Sequence, residues 1–191
     1  MREVDLSKYQ VRTDLVADLI KEDYEFETKK QYKNITISNI TLTKEMEEEL
    51  ERKEGLYTTI SYNDITDKTN YKNLLDVLTQ ELKKVIEETG IKDDYSCMII
   101  GLGNEKSTAD ELGVTTAKKV TVTKHIYDLV GSLEEHFRVT TCLTPGVMGQ
   151  TGIETVEIIS SVVKQVKPDF IIAIDALASD SIDRLLKTIQ I

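Results

Sequence analysis

Three short apolar runs in the second half of the chain limit what it can fold into. They are YSCMIIGLGN (95–104), RVTTCL (138–143) and FIIAID (170–175). Each reads as a strand, and the straight run from Phe170 to Ile174 reads as one buried on both faces. Helical stretches separate them. One runs from about Glu111 to Val122, and IETVEIISSVVKQV (153–166) is amphipathic. Upstream, Leu74, Leu75, Leu78, Leu82, Val85 and Ile86 recur at helical spacing, and Gly90 falls where a helix stops. SIDRLLK (181–187) reads as a short closing helix. Strand, helix, strand, helix, strand is the sign of a doubly wound fold. The expectation is an α/β protein: three α/β/α layers on a mostly parallel central sheet.

The first 70 residues differ. Residues 13–30 read as a helix capped by Thr13, followed by a charged, solvated stretch. NITISNITLTKE (34–45) alternates apolar and polar residues imperfectly and suggests one or two strands. KEMEEELERKEG (44–55) reads as a solvated helix ending at Gly55, and LYTTISYNDI (56–65) as another strand. Half-exposed strands of this kind belong to an antiparallel or edge region, so a small N-terminal strand-containing region is expected.

Composition narrows the function. The 191 residues are 40% hydrophobic and 30% charged, with a formal net charge of −10. That is enough for one sizeable core. An acidic chain is a poor partner for nucleic acid or an anionic membrane. No apolar run approaches the roughly 20 residues of a membrane span, and the N-terminus has no continuous apolar segment of the signal-peptide kind. Cys97 and Cys142 lie in separate apolar stretches, which suits buried free thiols in a reducing cytoplasm better than a disulfide or a thiolate metal site.

Two carboxylates stand out. Sites in open α/β sheets form beyond the carboxyl ends of the strands. Asp175 ends one such strand. The strand before Gly103-Asn104 leads through GNEKSTADELG to a second acid, Asp110, at the start of the next helix. If the two strands are neighbours, both acids face one crevice. Each also has a plainer account: Asp110 as a helix cap, Asp175 as an acceptor for loop amides. Glu105 is the nearest rival to Asp110, though an acid in a loop is usually solvated. TPGVMGQTGIET (144–155) is rich in glycine and opens a helix, so its amides could hold an anion or an extended peptide. It lacks the Lys-Ser/Thr of a P-loop, and the glycines of GLGNEKSTADELG are wrongly spaced for a dinucleotide fingerprint. His125 and His136 have no zincin partner, and no serine sits in a nucleophile elbow.

DLSKYQVRTDL (5–15), GLGN…T.D.LG (101–113), PGVMGQTGIET (145–155) and KPDFIIAIDALA…SI.R…TIQI (167–191) together resemble the germination protease family of spore-forming Firmicutes. The resemblance implies a cytoplasmic endopeptidase of the forespore and spore core, made as a zymogen and assembled as a homotetramer. Its substrates would be small acid-soluble spore proteins. The family's proposed catalytic aspartates fall on Asp110 and Asp175, and no cofactor is expected. The family also removes an N-terminal propeptide and cuts substrates after a Thr-acid pair, before an apolar residue. Thr13-Asp14 followed by Leu15 fits, which makes 1–14 a candidate propeptide, with a cut between Asp14 and Leu15, and 15–191 a single α/β domain. The family continues past TIQI into a long C-terminal portion, so the chain reads as an N-terminal fragment or a shortened relative. It also carries Glu105-Lys106 where the family tends to have an aromatic.

In this reading two nearby carboxylates split their pKa values, one acting as base on water and one as acid on the scissile amide. Gly146, Gly149 and Gly152 mark the loop that would hold substrate. Two alternatives stay open. One is a metal-dependent endopeptidase, by distant similarity to hydrogenase maturation endopeptidases, with Asp110, Asp175 and His125 as ligands. The other is a non-catalytic spore protein that binds a peptide partner.

Overall fold

The structure is a computed structural model, and it describes residues 13–20, 27–179 and 181–191. The chain divides into two compact units, one of residues 1–86 with 177–191, the other of residues 87–176. The mixed α/β class holds: one sheet is parallel, the other antiparallel.

The first unit carries a four-stranded antiparallel sheet, larger than the small region expected from the sequence. Its strands are β1 (Glu27–Tyr32), β2 (Ile35–Leu42), β3 (Gly55–Ser61) and β7 (Thr188–Gln190), in the order β1-β2-β3-β7. The imperfect alternation of β2 has a definite cause. Ile35 and Ile37 point to one face and pack with Ile60 against Leu74 and Val77 of α3 (Lys68–Glu88). Ile40 and Leu42 have the opposite parity and pack on the other face with Val16 of α1 (Val16–Leu19). One strand thus seals two half-cores, and the apolar positions change parity midway.

Several expected elements differ. Glu27–Tyr32 is a strand inside what reads as a solvated stretch, and the rest of that stretch, 21–26, lies outside the described residues. The helix read from Thr13 is a single turn, Val16–Leu19, with Leu15 at its N-cap. KEMEEELERKEG forms a 3-10 turn (Lys44–Met46) and one α-turn, α2 (Glu47–Leu50), which stops at Glu51 with φ 52°. Glutamates four apart repel each other along a helix, and Gly55 opens β3 instead of ending a helix. SIDRLLK is a run of turns and not a helix, with Leu186 at φ 59°, and it leads into the short β7.

The second unit carries β4 (Cys97–Gly101), β5 (Thr140–Leu143) and β6 (Phe170–Ile174), parallel and in the order β5-β4-β6. β4 is the buried centre: Cys97, Met98, Ile100 and Gly101 are all buried. β6 is an edge strand whose residues alternate between half-buried and exposed, and Ile171 is 42% exposed. The expectation that it is buried on both faces is therefore corrected: Ile171 and Ala173 share one face, and that face is exposed. Between β4 and β5 come α4 (Leu112–Ala117), shorter than read from the sequence, and α5 (Lys124–Val130), which was not expected as a separate helix. After β5 come α6 (Met148–Thr151) and α7 (Thr155–Val166). Asp169 ties two strand starts together, its Oδ2 accepting from the N–H (2.7 Å) and the hydroxyl (2.6 Å) of Ser96. No helix among the described residues is long and apolar enough to cross a membrane.

Candidate active site

The carboxyl ends of β4 and β6 lie side by side, with Gly101 in register with Ile174 and the Leu102 N–H donating to the Ile174 carbonyl at 2.9 Å. Asp175 follows Ile174 directly. It is exposed, so its charge is not stranded in a low-dielectric core, and the Ala176 N–H donates to its Oδ1 at 2.8 Å. An acid can end this apolar run at little cost in desolvation, because the strand ends where the chain meets solvent.

Asp110 reaches the same end of the sheet by a loop that doubles back on itself. Its N–H donates to Ser107 O (2.8 Å) and its carbonyl accepts from Asn104 N–H (2.9 Å). Gly103, at φ 102°, allows this closure, since a Cβ there would overlap the Asp110 carbonyl and its Oδ1. Three residues on, Gly113 is seated so closely on the strand ends that its Cβ would meet Ile174 O, Leu102 O and Leu102 N well inside 3.0 Å. The loop bearing Asp110 is thus fixed by backbone contact to the residue before Asp175. Asp110 does not cap α4: the N-cap position is Glu111, with no side-chain cap bond. Glu105 is already engaged, since the Lys118 ammonium bridges to it and holds its carboxyl below the usual range.

The glycine-rich loop leaves β5 at the same end of the sheet. Gly146 and Gly152 have φ of 75° and 70°, conformations a side chain disfavours, whereas a Cβ at Gly149 would meet nothing within 4 Å. Gln150 Nε2 donates to Asn104 Oδ1 at 2.6 Å, tying this loop to the one that carries Asp110. Both residues lie in stretches that carry the family resemblance, but a side-chain bond between loops 46 positions apart leaves no local pattern in the sequence. Three loops therefore meet at one end of the parallel sheet: 103–110, 144–152 and the residues after Ile174.

His125 is elsewhere. It opens α5 next to Thr123, whose N–H donates to Thr140 O at 3.0 Å, at the amino end of β5. That is the end of the sheet opposite the two aspartates. Among the described residues no group of three or more His, Cys, Asp and Glu is placed to hold a metal ion.

The two thiols sit in neighbouring strands, Ile99 of β4 pairing with Cys142 of β5, and both are free. Burial pushes the Cys97 thiol up to about 11, against a weak downward pull from Arg138, and burial also raises Cys142. The thiolate is the reactive form, so Cys97 is expected to label roughly a hundredfold more slowly than a free thiol at pH 8. Timed labelling by a maleimide, native against urea-unfolded, checks this. Native labelling of Cys97 as fast as in urea would contradict it.

The candidate cleavage bond lies in the first unit and is well guarded. Leu15 and Val16 are both 0% exposed. Asp14 N–H donates to Ala178 O (2.8 Å), and the Ala178 N–H donates to Asp14 Oδ2 (3.2 Å). Gln190 of β7 brackets the bond, donating from Nε2 to Asp14 O (3.2 Å) and accepting at Oε1 from Val16 N–H (2.9 Å). Arg52 donates to the Thr13 carbonyl. Leu15 is extended, at φ −73° and ψ 117°, so burial and not helicity shields the bond.

A model of the family described as germination protease matches residues 8–191. The germination protease of Priestia megaterium is 40% identical over 207 residues, covering 100% of this chain and 56% of its own length. That of Bacillus cereus strain AH187 is 38% identical over 202 residues, covering 98% of this chain and 55% of its own. That of Bacillus pumilus is 36% identical over 208 residues, covering 100% and 56%. The chain spans about half the length of the curated relatives it matches.

Proposed function

The chain belongs to the germination protease family, and from that membership we propose that it carries the catalytic centre of an atypical aspartic-type endopeptidase acting on small acid-soluble spore proteins. The observation that supports this best is the pair Asp110 and Asp175, at the carboxyl ends of adjacent parallel strands and joined through the seat of Gly113 on the Ile174 carbonyl. One ionised carboxylate takes a proton from water as the oxygen attacks the scissile carbonyl. The other, protonated, gives its proton to the departing amide nitrogen. The amides of loop 145–152 hold the substrate in extended form, with Gly149 leaving room for close approach. The protein works in the forespore and spore core as a homotetramer. Incubating the family-length protein with a small acid-soluble spore protein, with and without chelator, tests the reading. One discrete cut that persists in chelator supports it. Loss of the cut on chelation, restored by a single metal ion, replaces it with a metal-dependent peptidase.

The zymogen reading belongs to the same proposal: residues 1–14 are a propeptide, and the Asp14–Leu15 bond is cut by the protein itself. Because Leu15 and Val16 are fully buried, the cut needs local undocking of this segment, and mildly acidic pH is the proposed trigger. N-terminal sequencing after incubation at such pH is expected to find a new terminus at Leu15, absent in Asp175→Asn. A Met1 terminus on fully active protein would end the zymogen reading.

A further inference from the structure

Leu15 is the N-cap of α1, and Asp18 is its third helical residue. In that arrangement a side-chain acceptor at the third position can reach back to the N–H of the cap residue. Here one hydroxyl stands between them. Thr13 Oγ1 accepts from the Leu15 N–H at 3.2 Å and donates to Asp18 Oδ2 at 2.6 Å. The Asp18 carboxylate is 4% exposed and serves three segments: Oδ2 also accepts from Ser179 Oγ at 3.0 Å, and Oδ1 pairs with Arg184 Nε at 2.9 Å.

Hydrolysis of the Asp14–Leu15 bond adds water across the amide. The C–N bond breaks, the water oxygen stays on the Asp14 carbon as a carboxylate, and the Leu15 nitrogen leaves as an amine that is protonated at neutral pH. That ammonium starts out in a buried position, since Leu15 and Val16 have no exposed surface. A buried ammonium needs a carboxylate partner. When Thr13 departs with the propeptide, Asp18 Oδ2 loses one donor and Leu15 nitrogen loses its acceptor at the same moment.

We infer, resting on the Asp14–Leu15 cut proposed above, that Asp18 is the acceptor for the new amino terminus: the Leu15 ammonium takes the place of the Thr13 hydroxyl on Oδ2. The bonds from Asp18 to Ser179 and Arg184 then survive removal of residues 1–14. The charges around this position fit. Arg184 engages the other oxygen of Asp18. Arg52, which bonds Thr13 and lies 3.8 Å from Asp14 Oδ1, faces the departing side. On β1, Glu27 is already paired with Lys29. Asp183 and Lys187, flanking Arg184, are exposed.

The sign of the pH dependence follows. A partner that favours the ammonium raises the folded-state pKa of the Leu15 amine above its unfolded value of about 7.7–8.0. The pairing therefore stabilises the mature chain below that pH and is lost as pH rises through the raised value. The test compares the 1–191 chain, a chain beginning at a free Leu15 amine, and the same chain N-acetylated, each also as Asp18→Asn. NMR titration of the free amine is expected to give a pKa raised by about one to three units. The shift should vanish in Asp18→Asn, and the urea midpoint of the free-amine chain should exceed that of the acetylated one at pH 7 but not at pH 11. An unshifted amine, a shift that persists in Asp18→Asn, or a Leu15 chain that does not fold overturns the inference. The cut itself is tested separately, by sequencing the termini of the family-length protein. An uncut chain with a raised amine pKa would reject self-processing alone, and a cut chain with an ordinary amine would reject the Asp18 acceptor alone.

Discussion

Asp110→Asn and Asp175→Asn, each placed in the family-length protein, are expected to lower turnover by about 10²–10⁴-fold while leaving the fold intact. An asparagine has nearly the shape of an aspartate but neither takes nor gives a proton at neutral pH. Stability should change little, because Asp175 is exposed and Asp110 holds its loop through its backbone N–H and carbonyl, which the substitution keeps. The informative comparison is the double variant. Groups that act as a unit in one chemical step do not add, so losing both should cost little more than losing one. Discontinuous assay of substrate cleavage alongside thermal unfolding separates chemistry from folding. Near-normal turnover in either single variant would remove that residue from the mechanism and leave it as a loop contact.

How much of this could be read in the sequence depends on how each segment earns its structure. β4 was legible because it is central, and its run of apolar residues faces burial on both sides. β6 lies where the sequence puts it but is not buried on both faces, since a continuous apolar run cannot show that one face is left uncovered. β1 (ETKKQY) has only Tyr32 as a large apolar residue, and its structure is imposed by pairing with β2, a long-range event invisible in local pattern. β7 has three residues, too few for any period. SIDRLLK carries helical spacing at Ile182, Leu185 and Leu186. Yet Leu186 is 92% exposed, so no face was available to repay helix formation. The two aspartates were found by a rule about strand ends, which needs only the order of elements. The Gln150–Asn104 tie and the Asp18 network join residues 46 and 161 positions apart, and no local signal marks them.

Gly113→Ala is expected to damage both stability and turnover, although alanine is the better helix former. The propensity gain is at most about 1 kcal/mol in favour of alanine. Against it stands a methyl group that would lie well inside 3.0 Å of Ile174 O, Leu102 O and Leu102 N, all of them backbone atoms. No rotamer change relieves such a contact, so α4 and the loop before it must move off the strand ends, an overpacking penalty of about 1–3 kcal/mol. The net expectation is a lower unfolding midpoint, by several degrees for a unit of this size. The larger effect falls on the chemistry. Asp110 is three residues before Gly113, and Asp175 follows the very carbonyl on which Gly113 rests. A displacement of about 1 Å between two groups that must share one substrate is enough to lower the rate roughly a hundredfold. Turnover measured well below the variant's own unfolding midpoint isolates that effect from stability. A Gly113→Ala protein with wild-type turnover and an unchanged midpoint would mean that the seat of Gly113 on the strand ends does not set the spacing of the pair.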